Sequence, residues 1–148
     1  MDKNVLVALK GLQFTVGDSG EQLLETIMPA RYYKKNNNHY VIYDEIMEGF
    51  EESTKNMIKF HDSLVEVTKK GLINVHMIFE KDRMNIANYA TPFGDILIGI
   101  DTSEIQVQEQ EDKIKINVSY SLEANYEHMA DCRFEVSITD REGSCLEL

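Results

Sequence analysis

Two stretches near the end of the chain alternate apolar and polar residues almost without error, at residues 113–122 and 132–138. Successive side chains of a β-strand point to opposite faces of a sheet, so a period of two gives one apolar and one polar face. The apolar positions are Ile114, Ile116, Val118, Tyr120 and Leu122, followed by Cys132, Phe134, Val136 and Ile138. The pattern predicts two strands of a sheet that wraps around a core.

Weaker alternation divides most of the remaining chain into short strands. We predict them at residues 4–16, 22–33, 39–46, 72–79, 84–91, 96–100 and 105–107, separated by turn residues, with a last hairpin loop at 123–129. Pro29 cannot donate a backbone hydrogen bond, so the second strand lies at a sheet edge or bends there. Three consecutive asparagines at 36–38 predict a tight turn, because asparagine tolerates left-handed backbone geometry.

Residues 46–68 fit two patterns. Apolar residues and one histidine recur at helical spacing at Ile46, Phe50, Met57, Phe60, His61 and Leu64. Gly49 and the β-branched cluster of Val65, Val67 and Thr68 favour strands instead. Local pattern leaves both alternatives open.

Composition narrows the class of protein. A chain of 148 residues with 43% hydrophobic residues suits one globular domain, which we place at residues 1–140, followed by a tail at 141–148. The net charge of −11 disfavours nucleic acid and anionic membrane surfaces as partners. The first apolar stretch, residues 5–9, is too short for a signal-peptide core, so we expect a cytoplasmic protein in which Cys132 and Cys145 are free thiols.

Aromatic residues, glycines and a proline at strand ends, taken in order, resemble the YwiB-like family of small bacterial proteins. The segments that carry the resemblance are residues 32–33, 36–38, 40–45, 89–94 and 116–122, within a match over residues 5–138. The resemblance implies a calycin-type barrel and turns residues 46–68 into strands. Ala30 stands where the family pattern leads us to expect a glycine. We therefore predict an all-β fold: a single antiparallel β-barrel of about eight to ten strands, calycin- or lipocalin-like.

Five side chains are candidates to line a ligand cavity inside such a barrel. They are Tyr32, Tyr43, Glu45, Met77 and Tyr120. Glu45 is in register with apolar neighbours and would need a partner such as Arg31 or a tyrosine hydroxyl if buried. Ordinary core packing is the competing interpretation, because side chains readily fill a small barrel.

No catalytic motif of comparable clarity appears. The four histidines lack metal-ligand spacing, and His128 and Cys132 lie too far apart on a strand to share a zinc ion. We predict no metal, no cofactor and no catalytic residue. The function we expect is binding of a small, mainly apolar molecule inside the barrel. The alternative is a protein-interaction or structural module that acts through its outer surface, as a monomer or homodimer, without a ligand.

Overall fold

The chain folds into β-strands throughout the part that the structure describes. This computed structural model describes residues 2–11, 25–46 and 49–140, which contain no helix. The predicted tail, with Cys145, lies outside the described residues. The strands are β1 (Asp2–Lys10), β2 (Glu25–Lys35), β3 (Asn38–Ile46), β4 (Ser53–His61), β5 (Leu64–Gly71), β6 (Val75–Glu80), β7 (Arg83–Thr91), β8 (Gly94–Glu109), β9 (Lys113–Ala124) and β10 (Glu127–Asp140).

The ten strands form one antiparallel sheet that rolls into a nearly closed barrel. Their order is β6-β5-β4-β3-β2-β1-β10-β9-β8-β7, so the first and last strands pair with each other. The outermost members, β6 and β7, meet through a bridge between Asn74 and Ala90. The predicted all-β barrel is confirmed.

The described part of residues 46–68 forms the strands β4 and β5, and inward-facing polar residues explain why the sequence pattern of β4 was ambiguous. Thr54, Asn56, Ile58 and Phe60 face the interior from β4 and are fully buried. Two of these four inward positions are polar, which hides the period of two in the sequence. The helical interpretation of this segment is wrong.

Two-residue turns close the hairpins at the asparagine run and near the C-terminus. Asn36 and Asn37 have φ values of 54° and 66°, the left-handed pair that a type I′ hairpin turn requires. Asn125 and Tyr126 have φ values of 53° and 71° and form an equivalent turn. The predicted loop at 123–129 is therefore too long, because β9 and β10 extend to this turn.

The first hairpin differs from its predicted bounds. β1 ends at Lys10, and Gly11 adopts a φ of 82°, while residues 12–16 of the predicted strand lie outside the described residues. Pro29 pairs with Leu6 on β1, whereas the ladder from β2 to β3 begins only at Arg31. At Pro29, therefore, β2 pairs with β1 but not with β3, as a residue without a backbone N–H requires.

Large side chains fill the middle of the barrel. Phe60, Phe79, Phe134, Ile58 and Met77 are all fully buried. The Phe79 ring makes edge contacts with Tyr120 and Phe134, at centroid distances of 5.1 and 5.0 Å. This packed layer leaves polar side chains and open space mainly towards the two ends of the barrel.

Candidate functional site at the histidine end of the barrel

Tyr32, His39 and Glu109 meet at one end of the barrel, which we call the histidine end. Tyr32 and His39 lie on the inner face of the β2–β3 hairpin, where the asparagine turn pairs Lys34 with His39 and Val41 with Tyr32. Glu109 is the last residue of β8. Both Tyr32 and His39 are buried.

The imidazole of His39 connects the other two side chains. Its Nδ1 atom lies 2.6 Å from the Tyr32 hydroxyl, and its Nε2 atom lies 3.7 Å from Oε1 of Glu109. The ring stacks on Phe60 at a centroid distance of 4.6 Å. A neutral imidazole with its proton on Nε2 satisfies both neighbours, because Tyr32 then donates to Nδ1 and Nε2–H faces the carboxylate.

Burial keeps both aromatic partners neutral. It lowers the pKa of His39, and the nearby Glu109 only partly opposes this effect. Burial also raises the pKa of Tyr32, and the charge of Glu109 adds to that rise. At neutral pH the tyrosine is therefore a hydrogen-bond donor and the histidine its acceptor.

A cleft of about 230 Å³ opens beside this group. Its lining includes the apolar residues Val5, Ile114 and Ile138, together with Tyr32. Its polar rim consists of Lys34, Glu109, Gln110, Glu111, Asp112, Lys113 and Asp140. An apolar floor with a few polar groups is the usual composition of a small-molecule site, although this volume is below the usual range of about 300–1,000 Å³.

A second polar group lies at the opposite end, which we call the lysine end. Lys69 on β5 is buried, and its Nζ atom lies 2.7 Å from Oδ1 of Asn56 and 3.1 Å from Oε1 of Glu45. The Asn56 amide nitrogen completes the triangle with a 3.3 Å contact to Glu45. The two ends are about 20 Å apart along β3, counted from His39 to Glu45 at about 3.3 Å per residue.

The lysine end is a paired ionic group. Buried charges persist in proteins when they are paired and hydrogen-bonded, and Lys69 has both kinds of partner. Burial, reinforced by the charge of Glu45, raises the pKa of Tyr43 and of Tyr89. These contacts explain how an inward-facing lysine is accommodated.

Comparison with known proteins places the barrel in a family. The sequence matches the DUF1934 family, described as a domain of unknown function, over residues 7–136. This chain belongs to the DUF1934 family. It is 26% identical to the uncharacterized β-barrel protein YwiB of Bacillus subtilis (strain 168) over 105 residues, which is 71% of this chain and 72% of that protein.

A solved structure supports the fold of this DUF1934 chain. The crystal structure of the ywiB protein from Bacillus subtilis aligns with a TM-score of 0.78 at 21% identity, covering 94% of this chain and 92% of that one. The likeness establishes the barrel. It assigns no activity to any residue.

All five side chains predicted to line a cavity face the interior of the DUF1934 barrel, but at different levels. Tyr32 lines the cleft at the histidine end, while Tyr43 and Glu45 belong to the lysine end. Met77 and Tyr120 are packed into the central layer. The structure joins Glu45 to Lys69 and Asn56. A ligand-lining role for these five residues stays a prediction.

The sequence analysis missed His39, Lys69 and Glu109. His39 is in phase with Val41 and Tyr43, and Lys69 with Val65 and Val67, so the argument applied to Glu45 also predicts that both face inward. Glu109 is in phase with Ile105 and Val107 in the same way, so alternation also predicts that it faces inward from the end of β8.

Other candidate chemistry gains no support within the described ranges. There, no three His, Cys, Asp or Glu side chains come together as a metal site. His128 contacts Asp131 at 3.2 Å, and Cys132 is a free, half-buried thiol. The same residues contain no helix long and apolar enough to cross a membrane.

Proposed function

We propose that this barrel binds a small, mainly apolar molecule in the cleft at the histidine end. The cleft itself carries the proposal, because it combines an apolar floor, a charged rim and Tyr32 in its wall in a volume of about 230 Å³. The apolar body of the ligand packs against Val5, Ile114 and Ile138, and one polar group reaches Tyr32 or the charged rim. Calycin-type barrels that hold small molecules provide an analogy at the level of fold only.

The packed interior favours an end of the barrel over its centre as the binding position. Phe79, Tyr120 and Phe134 occupy the central layer. A ligand there would have to displace large buried side chains, which costs their packing energy. The cleft offers apolar contact without that displacement.

Two neighbouring lysines on β2 provide a matched test. Lys34 lines the cleft and Lys35 does not, and both are exposed. Lys34→Trp places a large ring at the mouth of the cleft, whereas Lys35→Trp makes the same chemical change outside it. We expect native mass spectrometry of protein purified from its own host to detect a stoichiometric small molecule on the wild type and on Lys35→Trp, reduced at least tenfold on Lys34→Trp.

The proposal fails if the wild type carries no small molecule. It also fails if Lys34→Trp and Lys35→Trp retain the molecule equally. Thermal unfolding of all three proteins checks that the substitutions leave the barrel intact, because surface substitutions usually change stability by less than about 0.5 kcal/mol.

An interaction module acting through the outer surface is the second candidate. Ile27 on β2 and Ile46 on β3 are 64% and 77% exposed. Both lie beyond Arg31–Ile42, the last described pair of the ladder between these two strands. Counting from the Arg31–Ile42 pair places these isoleucines opposite each other. A protein partner or a second copy on the native mass spectrum, with no small molecule, selects this candidate. Either function is expected in the cytoplasm, which cell fractionation tests.

A further inference from the structure

Strand register places Glu109 beside the apolar floor of the cleft at the histidine end. Glu109 on β8 lies opposite Ile114 on β9, and Ile114 lies opposite Ile138 on β10. Residues that pair across neighbouring strands share one face of the sheet, so these three form a row on the inner face, where both isoleucines are buried. The side chain of Glu109 is 51% exposed, so it remains accessible to a molecule in the cleft.

His39 does not neutralise the charge of Glu109. The Nε2 atom of the imidazole lies 3.7 Å from Oε1 of Glu109, which is longer than an ordinary hydrogen bond. Burial lowers the pKa of His39, so the ring is uncharged at neutral pH. The carboxylate therefore lies beside a neutral ring and can accept hydrogen bonds from a bound molecule.

Acidic side chains outnumber basic ones around the rim of the cleft. The rim carries four carboxylates and two ammonium groups, from Glu109, Glu111, Asp112, Asp140, Lys34 and Lys113. Backbone hydrogen bonds hold this rim together: the Gln110 N–H donates to the Lys113 carbonyl at 2.8 Å, and the Asp140 N–H donates to the Asp112 carbonyl at 3.2 Å. With both lysines counted, a surplus of two negative charges still surrounds the apolar floor, which attracts a cation and repels an anion.

We infer that the cleft binds an amphipathic amine, whose ammonium group pairs with Glu109 and whose apolar body packs on Ile114 and Ile138. This inference rests on the proposed function and names the chemical class of the ligand. An ammonium group has three N–H donors and no acceptor, which complements a carboxylate. A cleft of about 230 Å³ is smaller than the usual site for a drug-sized molecule, so it suits a short alkyl chain or a single ring.

Three probes with the same alkyl chain and different head groups test this class of ligand. Hexylamine is positively charged, hexanoate is negatively charged and 1-hexanol is neutral. In NMR titrations of the wild type at neutral pH, we expect hexylamine to cause saturable shifts at Tyr32, Ile114 and Ile138. Its dissociation constant should be at least tenfold lower than that of hexanoate, and it should rise with added salt because salt screens the ion pair.

Glu109→Gln and Glu104→Gln are matched variants on β8. Both replace a carboxylate by an amide of the same shape, but Glu104 is exposed and lies outside the cleft, five residues before Glu109. That separation is about 16 Å at about 3.3 Å per residue, beyond the screening length of about 8 Å at physiological salt. We expect Glu109→Gln to weaken hexylamine binding about fivefold, through loss of a half-exposed ion pair, and Glu104→Gln to leave it unchanged. The affinity for 1-hexanol should be the same in all three proteins.

The titrations separate failure of this inference from failure of the proposed function. If hexanoate or 1-hexanol binds the cleft as tightly as hexylamine, the cleft is a binding site but the ligand class is wrong. The inference is also overturned if Glu109→Gln binds hexylamine as the wild type does, or if it loses hexylamine and 1-hexanol equally. If no probe shifts the cleft residues the inference is overturned, and native mass spectrometry of the protein from its own host decides the proposed function separately.

Discussion

The imidazole of His39 is held on three sides, by the Tyr32 hydroxyl, the Phe60 ring and the Glu109 carboxylate. Such contacts fix the orientation of a side chain that otherwise rotates freely. They also remove the ring from water, and that burial lowers its pKa despite the neighbouring acid. Tyr32, which the imidazole holds through this hydrogen bond, is also a residue of the cleft wall.

The lowered pKa of His39 makes stability depend on pH. In the unfolded chain a histidine binds a proton below a pH of about 6.5, while folded His39 binds it only at lower pH. Its contribution is therefore complete above about pH 6.5 and is lost as the pH falls below that value. We expect the free energy of unfolding of the wild type to fall between about pH 7 and pH 5 more steeply than that of His39→Gln, measured by urea denaturation.

His61→Gln is the control for this prediction. His61 follows Phe60 on β4 and lies on the opposite face of the strand, where its Nδ1 atom accepts a hydrogen bond from the Ser63 backbone at 3.3 Å. This variant keeps the His39 ring and its burial, so its slope of unfolding free energy against pH should stay closer to that of the wild type than the slope of His39→Gln does. Equal slopes of unfolding free energy against pH for the wild type and His39→Gln would show that His39 does not cause the loss of stability at low pH.

At the scale of strands, the β4–β5 hairpin depends on the glycine at its end. Gly71 has a φ of 144° and lies opposite Thr54 on β4. A Cβ atom at this position would lie 2.3 Å from the Ser53 carbonyl oxygen and 2.9 Å from the Thr54 Cα. Both contacts are with backbone, so they can be relieved only by moving the strand.

Gly71→Ala should therefore destabilise the protein by about 3 kcal/mol or more, as the sum of backbone strain and steric conflict. Gly94→Ala is the control, because Gly94 has a φ of 132° but nothing lies within 4 Å of its added Cβ. Strain alone should then cost about 1–3 kcal/mol. Thermal denaturation of both variants tests the difference, and equal losses would contradict the role given to close packing at Gly71.

The strands that the sequence predicts best are those with one uniformly apolar face, as in β9 and β10. The failures have local physical causes. β8 looked like two strands because a register shift between Thr102 and Glu104 moves the inward positions from Ile98 and Ile100 to Ile105 and Val107. β4 resembled a helix because Thr54 and Asn56 are polar yet buried.

The candidate site was only partly predictable for a related reason. Tyr32 follows from alternation along β2, since its neighbour Ala30 also faces inward. Its partners depend on contacts between distant segments, because Glu109 is 77 residues away in sequence and meets the hairpin only when the sheet closes. Alternation within a strand carries no information about which strands meet across the end of a barrel.

For the molecule as a whole, closure of the sheet determines where inward-facing polar side chains can lie. Ten strands bury a continuous layer of aromatic and aliphatic side chains at the centre. Polar groups that face inward consequently collect near the ends, at Tyr32 and His39 on one side and at Glu45 and Lys69 on the other.

A high-resolution crystal structure of the protein purified from its own host tests the central proposal most directly. We predict ordered density for a small molecule between the Tyr32 hydroxyl and the side chains of Val5, Ile114 and Ile138. A cleft that contains only ordered water in protein from that source would contradict the proposed binding function.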